Sequence, residues 1–312
     1  MGFLKTSLAF LSLGGTSSLF ERGYTFQFEL EGPRRPQPIP THDLQVTRDI
    51  SYHPHPGDNP ALQSLDVYAP KVTGAQDAYP VILFMHGGGW RASDKNDPLG
   101  VHAGVCKALA LRGIVAVNVN YRLAPRTKHP EPARDATRAL QWVVENIHAF
   151  QGDREKVFAS GHSAGGHLAA LITLDPQYLR DVDLSIDSIK GVIGICGVYN
   201  LVHFAGRNWM AEHLMTRAAF ANQGMRAAAS PVNHVRAGSP PFLLLNAQYD
   251  ERLEEEAEEL AVLLRVQGVI AETAVIPDTN HFTILSLVGN GDDTLIDRIT
   301  NFVMDHSSNV AE

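Results

Sequence analysis

The sequence predicts an α/β fold in which a mostly parallel sheet of about eight strands carries helices on both faces. Two segments have the composition of parallel strands that are buried on both faces: the continuous apolar run VILFM at 81–85 and the mostly apolar IVAVNVN at 114–120. Segments with the three-to-four-residue apolar spacing of amphipathic helices separate the predicted strands. Such alternation of strand and helix is typical of a parallel sheet covered on both sides.

The composition is that of a globular protein with a mildly acidic surface. The 312 residues are 44% hydrophobic and 19% charged, and the formal net charge is −8. Binding to nucleic acid or to an anionic membrane needs a basic patch, and no long run of lysine and arginine supplies one. We therefore expect no nucleic-acid partner. No stretch of about 20 apolar residues occurs, so the sequence predicts no stable membrane insertion.

The first 42 residues differ in character from the rest of the chain. SLAFLSL at 7–13 weakly resembles the apolar region of a signal peptide, but no convincing cleavage site follows it. Four prolines within residues 31–42 predict an extended connector. We predict that residues 1–42 form an N-terminal extension packed on a single domain at 43–312. A cytoplasmic location is favoured, with a signal peptide as the alternative.

The elements of the domain follow from their local patterns. Alternating apolar and polar residues at 44–52 and 62–69, separated by turn-forming residues, predict an antiparallel hairpin at a sheet edge. Further strands are predicted at 81–85, 114–120, 156–160, 189–196, 242–247 and 271–276. Helices are predicted at 99–112, 131–149, 163–174, 251–268 and 293–307.

Residues 197–240 break this alternation. They contain Trp209, Met210, Met215 and Phe220 but no clear strand. A segment of this length is too long for a bare loop in a compact domain. We predict a helical insertion, which either forms a lid over the functional site or packs as ordinary helices on one face of the sheet.

The segment Gly161-His162-Ser163-Ala164-Gly165 is the strongest functional signal. It matches G-x-S-x-G, follows a predicted strand and opens a predicted helix, which is the context that the motif requires. A sharp strand-to-helix turn exposes the serine hydroxyl, and small residues at 161 and 165 avoid clashes at that turn. The sequence therefore predicts Ser163 as a nucleophile.

A glycine run, HGGGW at 86–90, directly follows the strand at 81–85. A tetrahedral intermediate needs convergent backbone N–H donors for its negative oxygen, and glycines allow that close approach. The candidate donors are the N–H groups of Gly88, Gly89 and Ala164. The alternative is a flexible turn without function. The run lacks the GK[ST] continuation of a phosphate-binding loop.

A candidate acid and a candidate base lie in loops that follow the last two predicted strands. Asp250 ends FLLLNAQYD, and His281 follows the strand at 271–276. The chain order serine, acid, histidine is the one that accompanies G-x-S-x-G. Glu251 and Glu254 are alternative acids, although their charged segment is more simply the solvated face of a helix. Position and order distinguish His281 among the 14 histidines.

These motifs carry a resemblance to a known group of enzymes. HGGGW, YRLAP at 121–125 and GHSAGG at 161–166 resemble the hormone-sensitive-lipase-type branch of the α/β-hydrolase superfamily, over residues 60–305. The resemblance implies the α/β-hydrolase fold and a serine hydrolase that cleaves a carboxylic ester through an acyl-enzyme. It implies no cofactor.

A second resemblance narrows to kynurenine formamidases. GVYN at 197–200, SPV at 230–232 and NHFTI at 280–284 are similar to segments of those enzymes. The charged segment ERLEEEAEEL after Asp250 and Gly166 beside the serine depart from that group. Cleavage of N-formylkynurenine is therefore the alternative to ester hydrolysis. A non-catalytic protein that binds small molecules on the same fold is the alternative of another class.

Four bulky residues are candidates for contact with an apolar or aromatic part of the substrate, although they could equally belong to the core: Trp90, Trp209, Met210 and Phe282. No cluster of His, Cys and Asp has the spacing of zinc or iron ligands, so no metal is expected. Cys106 and Cys196 are predicted to be buried free thiols. The expected partner is a small-molecule ester or amide, and a homodimer is compatible with the sequence.

Overall fold

The computed structural model describes residues 44–53, 59–71, 78–207, 211–250, 252–289 and 293–307. The predicted N-terminal extension at 1–42 lies outside the described residues. None of the helices within these ranges combines the length and the hydropathy that spanning a bilayer requires.

The described residues form one sheet of eight strands, and this confirms the predicted fold class. Its strand order is β1-β2-β4-β3-β5-β6-β7-β8. Strand β2 runs antiparallel to both of its neighbours, whereas every other neighbouring pair is parallel. The bounds are β1 Leu44–Ser51, β2 Ser64–Pro70, β3 Tyr79–Met85, β4 Val115–Val119, β5 Gly152–His162, β6 Gly191–Ile195, β7 Phe242–Tyr249 and β8 Ala271–Asn280.

Within the described residues, ten α-helices connect and cover these strands. Their bounds are α1 Val101–Ala110, α2 Glu131–Asn146, α3 Ala164–Leu174, α4 Pro176–Arg180, α5 Leu201–Arg207, α6 Arg217–Ala219, α7 Gln223–Ala228, α8 Leu253–Val266, α9 Thr283–Ser286 and α10 Thr294–Ser307. Helix α1 contacts α10, and α2 contacts α3. The predicted helices are present, and the one predicted at 131–149 ends in a 3₁₀ turn at Ile147–Phe150.

Burial differs sharply between the centre and the edge of the sheet. Every residue of β4 and β6 is buried, as expected for central strands of a sheet that is covered on both faces. Helix α3 is also buried along its whole length, so the turn that precedes it sits on a closely packed base. Strand β1 instead alternates between exposed and partly buried residues, which is typical of an edge strand with one solvated face.

The segment at 197–240 contains α5, α6 and α7 together with a π-helical turn at Ala211–Thr216. It contains no strand among its described residues, in keeping with its sequence pattern. Residues 208–210, which include Trp209 and Met210, lie outside the described part. A role of this segment as a lid stays a prediction.

Candidate active site

Ser163 occupies the sharp turn between β5 and α3. Its backbone lies at φ 55° and ψ −116°, a conformation that costs a non-glycine residue free energy. The backbone N–H of Ser163 donates to the carbonyl of Ile195 at 2.8 Å, and its own carbonyl accepts from the N–H of His167 at 3.0 Å. These two hydrogen bonds hold Ser163 in place, one to the end of β6 and the other to the first turn of α3. The serine side chain is therefore presented at the carboxyl end of the parallel strands.

The flanking glycines are required by close backbone contacts. A Cβ atom on Gly161 would lie 2.4 Å from the carbonyl carbon of Gly165, and one on Gly165 would lie 2.0 Å from the carbonyl oxygen of Met85. Real Cβ atoms do not approach other atoms so closely, so neither position can carry a side chain without moving the backbone. The packing thus agrees with the expectation from the sequence that small residues at 161 and 165 avoid clashes at this turn.

Asp250 and His281 form a short hydrogen bond. Nδ1 of His281 lies 2.6 Å from Oδ1 of Asp250, and the carboxylate is buried. Because an ionised carboxylate only accepts, Nδ1 carries the proton and donates it, which leaves Nε2 as the basic nitrogen. The second carboxylate oxygen accepts from the side-chain amide of Asn246 at 3.2 Å. Asp250 therefore fixes both the tautomer and the orientation of the imidazole.

His162 links the serine turn to the histidine loop. Its Nε2 lies 2.8 Å from the backbone carbonyl of His281, so Nε2–H donates to that oxygen. The two imidazole rings are 4.7 Å apart between centroids. Burial, followed by the charge on His281, lowers the pKa of His162 well below 6.5, and the ring is neutral at pH 7. The sequence had indicated no role for His162, because the contact joins loops 119 residues apart.

The glycine run at 86–90 forms a tight loop at the end of β3. Gly88 and Gly89 adopt φ values of 97° and 59°. A Cβ atom on Gly88 would lie 2.1 Å from the carbonyl oxygen of Ala92, so only glycine fits there. Within the described part of the chain, neither glycine N–H donates to a protein acceptor. Two N–H donors thus stay available beside the serine turn, where a Cβ atom on Gly87 would lie 3.3 Å from Cβ of Ser163.

His86 and Tyr121 support this loop from below. Nδ1–H of His86 donates to the carbonyl of Gly87 at 2.8 Å, and the two rings stack with centroids 4.4 Å apart. The Tyr121 hydroxyl donates to the carbonyl of His86 at 2.8 Å. Burial lowers the pKa of His86 to about 4, so this support stays uncharged. The YRLAP motif therefore contributes a loop-positioning tyrosine.

Trp90 is part of the core. Its indole is 2% exposed, and its Nε1–H donates to Nδ1 of His167 at 3.1 Å. The ring also packs edge-on against Phe220 at 5.1 Å. Of the two interpretations left open by the sequence, the structure favours packing over substrate contact. Phe282, by contrast, is 78% exposed and packs edge-on against the His281 ring at 5.4 Å.

The nitrogen and sulfur atoms of His162, Cys196 and His281 lie within 4.8 Å of one another. A metal ion needs deprotonated ligands. Burial raises the pKa of the Cys196 thiol well above its usual value, so this group stays a protonated thiol and not the thiolate that binds a metal. The cluster therefore suits hydrogen bonding better than metal binding. Both cysteines are buried and free, as predicted.

A buried ion pair ties the far end of the glycine loop to the sheet. Lys95 is 1% exposed, and its Nζ lies 2.6 Å from Oδ1 of the fully buried Asp66 on β2 and 2.6 Å from Oδ1 of Asp49 on β1. The backbone of Lys95 is held by the side chains of Asn118 and Asn120 at 2.8 and 2.6 Å. The loop is thus anchored to strands β1, β2 and β4.

Replacement of Lys95 by methionine is expected to lower the free energy of unfolding by about 3 kcal/mol, because it leaves the Asp66 carboxylate buried without its close cation. Urea denaturation followed by circular dichroism measures the change. Lys107→Met on the exposed side of α1 is the matched control and should change stability by less than about 0.5 kcal/mol. Equal effects of the two substitutions would contradict a stabilising role for the buried pair.

Comparison with known proteins places this chain in a family. A model of the BD-FAE family matches residues 65–262, more than half of the chain. The chain belongs to the BD-FAE family. This assignment agrees with the resemblance of its motifs to the α/β-hydrolases.

Curated relatives of this BD-FAE member include mycobacterial esterases. It is 32% identical over 248 residues to Esterase LipC of Mycobacterium tuberculosis, a match that covers 72% of this chain and 58% of the relative. It is 29% identical over 259 residues to Esterase LipQ of the same organism, covering 80% of this chain and 60% of the relative. The chain thus spans about three fifths of the length of these relatives.

Solved structures share the fold of this BD-FAE member. An esterase of Pyrobaculum calidifontis is 27% identical and superposes with a TM-score of 0.66, covering 86% of this chain and 87% of the other. A truncated carbohydrate esterase from gut microbiota has a TM-score of 0.69 at 18% identity, covering 89% of this chain and 99% of the other. The second likeness is one of fold alone.

In this BD-FAE member, the segments that carry most of the predicted site residues lie close together. The loops that carry Ser163, Asp250 and His281 meet at the carboxyl ends of β5, β7 and β8, and the HGGGW loop follows the neighbouring β3. Ala164 begins α3 directly after the serine. Trp209 and Met210 lie outside the described residues. No sequence pattern indicated the contacts of His162 or the hydrogen bond from the Asn246 amide to Asp250.

Proposed function

We propose that this protein is a carboxylic ester hydrolase with Ser163 as nucleophile, His281 as general base and Asp250 as the acid that orients the base. The 2.6 Å hydrogen bond between Asp250 and His281, in the loop that His162 ties to the serine turn, is the observation that carries the proposal. Membership of the BD-FAE family and the likeness to named esterases support ester hydrolysis as the reaction.

Acylation would begin with proton transfer from the Ser163 hydroxyl to Nε2 of His281 as Oγ attacks the ester carbonyl carbon. The carbonyl π electrons move to oxygen and give a tetrahedral oxyanion. As the carbonyl re-forms, the C–O bond to the alcohol breaks, and the imidazolium donates its proton to the departing oxygen. Asp250 stabilises the imidazolium without itself becoming protonated. The products of this half-reaction are the free alcohol and an acyl-serine.

Deacylation repeats these steps with water in place of the serine hydroxyl. Nε2 of His281 takes a proton from water, hydroxide adds to the acyl carbon, and Ser163 leaves with the proton returned by the imidazolium. In both halves the oxyanion would accept from the N–H groups of Gly88, Gly89 and Ala164. Each preorganised donor of this kind contributes about 3 kcal/mol to transition-state stabilisation. The product is a carboxylic acid.

A substrate panel tests the proposal. We expect kcat/KM for p-nitrophenyl butyrate to exceed that for N-formylkynurenine by about 10²-fold or more. The reason is that the proposed reaction releases an alcohol from an ester, and that the named relatives are esterases. Initial rates with both substrates at pH 7 give the ratio. A preference for the formamide would make the protein a kynurenine formamidase. Binding without turnover of either substrate would favour a non-catalytic binding protein.

Four further predictions concern partners and location. The substrate would be a small-molecule ester, and no nucleic-acid partner is expected from the net charge of −8. A homodimer stays a prediction, which light scattering on the purified chain would test. The cytoplasmic location likewise stays a prediction.

A further inference from the structure

A π-helical turn lies next to the glycine loop of the candidate site. Residues Ala211–Thr216 form this turn. The hydroxyl oxygen of the buried Thr216 lies 3.0 Å from the carbonyl oxygens of both Ala211 and Glu212, so its one proton is shared between these two acceptors. Turns of this kind are rare, and they occur frequently at functional sites. The sequence pattern did not predict it, since a single inserted residue leaves no periodic signal.

Two contacts fix the π-helical turn in place. On one side, Glu212 accepts two hydrogen bonds from the guanidinium of the buried Arg226 on α7, at 2.5 and 3.0 Å. On the other side, the guanidinium of Arg91 donates to the backbone carbonyl of Leu214. Arg91 directly follows the HGGGW segment. The turn and the glycine loop are therefore connected to each other.

Met215 extends from this turn onto the glycine loop. Its Cγ would lie 3.5 Å and its Sδ 3.8 Å from a Cβ atom placed on Gly89. An oxyanion bound to the N–H of Gly89 would lie about 3 Å from that nitrogen. The first few carbon atoms of an acyl chain whose oxyanion binds the N–H of Gly89 could therefore reach the side chain of Met215.

The geometry of the reaction indicates which part of an ester meets Met215. Four groups surround the tetrahedral carbon: Oγ of Ser163, the oxyanion, the departing alcohol and the acyl chain. His281 must reach both Oγ and the alcohol oxygen, so both lie on its side. The acyl chain is left to extend away from His281, along the glycine loop that Met215 covers.

We infer that Met215 limits the length of the acyl chain that the site accepts. The inference rests on the proposed ester hydrolysis. A thioether side chain gives an apolar and adaptable surface, which suits an aliphatic acyl group better than a polar one. Arg91 and Arg226 hold the turn that carries Met215, so the backbone at Met215 is kept beside the glycine loop.

The acyl-chain profile of Met215 variants tests the inference. Initial rates are measured with p-nitrophenyl acetate, butyrate and octanoate for the full chain and for Met215→Ala, Met215→Phe and Met225→Ala. We expect Met215→Ala to raise the octanoate-to-butyrate ratio of kcat/KM about tenfold, since contact with one or two methylenes changes selectivity by that order. Met215→Phe should lower the same ratio.

Met225→Ala is the matched control, because Met225 is a partly buried methionine of α7 whose Sδ accepts from the N–H of Ala221 at 3.4 Å. Its ratio should equal that of the unmodified chain. Ratios unchanged in both Met215 variants, with circular dichroism showing folded protein, would overturn the inference and leave ester hydrolysis standing. If the unmodified chain cleaves none of the three esters, the proposed function itself fails.

Discussion

Replacement of Ser163 by alanine is expected to lower kcat for p-nitrophenyl butyrate by about 10⁶-fold, because the hydroxyl that forms the acyl-enzyme is removed. Alanine keeps the Cβ atom, so the backbone at φ 55° is no more strained than before and the protein should stay folded. Rates at substrate saturation and a thermal melt measure the two effects. Activity retained by the variant would place the nucleophile elsewhere.

Ser160→Ala is a matched control for this experiment. Ser160 lies three residues earlier on β5, is 1% exposed, and its hydroxyl has no hydrogen-bond partner among the described residues. Removing it should leave kcat within about twofold of the unmodified chain, because no buried partner loses a hydrogen bond. Loss of activity in both variants would indicate damage to β5 rather than loss of the nucleophile.

Replacement of Asp250 by asparagine is expected to lower kcat by about 10⁴-fold with little change in KM. An amide can direct its NH₂ group at Nδ1 of His281, which moves the imidazole proton to Nε2 and removes the base. It also removes the charge that stabilises the imidazolium at 2.6 Å. Steady-state kinetics over several butyrate concentrations separate kcat from KM.

Asp278→Asn serves as the control for the acid. Asp278 is exposed, precedes His281 by three residues and has a positive φ of 56°, which asparagine tolerates as well as aspartate does. Its rate should match that of the unmodified chain. A near-normal rate for Asp250→Asn would instead move the acid to the neighbouring Glu254, which is exposed on α8.

The fold was predictable because its determinants are local. The segment 81–85 is apolar throughout and the segment 114–120 is mostly apolar, and both became fully buried strands in the sheet. Ser163 was predicted as the nucleophile for the same reason, since G-x-S-x-G lies between a strand and a helix that each have their own pattern. Position in chain order then led to Asp250 and His281, which the structure joins by a hydrogen bond.

The remaining features of the site depend on contacts between distant segments. Trp90 could face substrate or core, and only the position of His167 and Phe220, 77 and 130 residues later, decides for the core. The approach of Met215 to Gly89 likewise requires the path of the insertion at 197–240, which no short-range pattern specifies. Sequence periodicity therefore predicts the helices and strands well, but it does not predict which side chains from distant segments meet around the site.

The arrangement of the sheet also bears on how this protein can change over evolutionary time. The residues proposed for chemistry lie in loops that directly follow β3, β5, β7 and β8, whereas the side chains of the central strands are buried on both faces. A change in those strands costs stability, whereas a change at Met215 would alter mainly which acyl chains fit. Descendants of this chain can thus acquire new substrates through a single side chain while they inherit the same reactive centre.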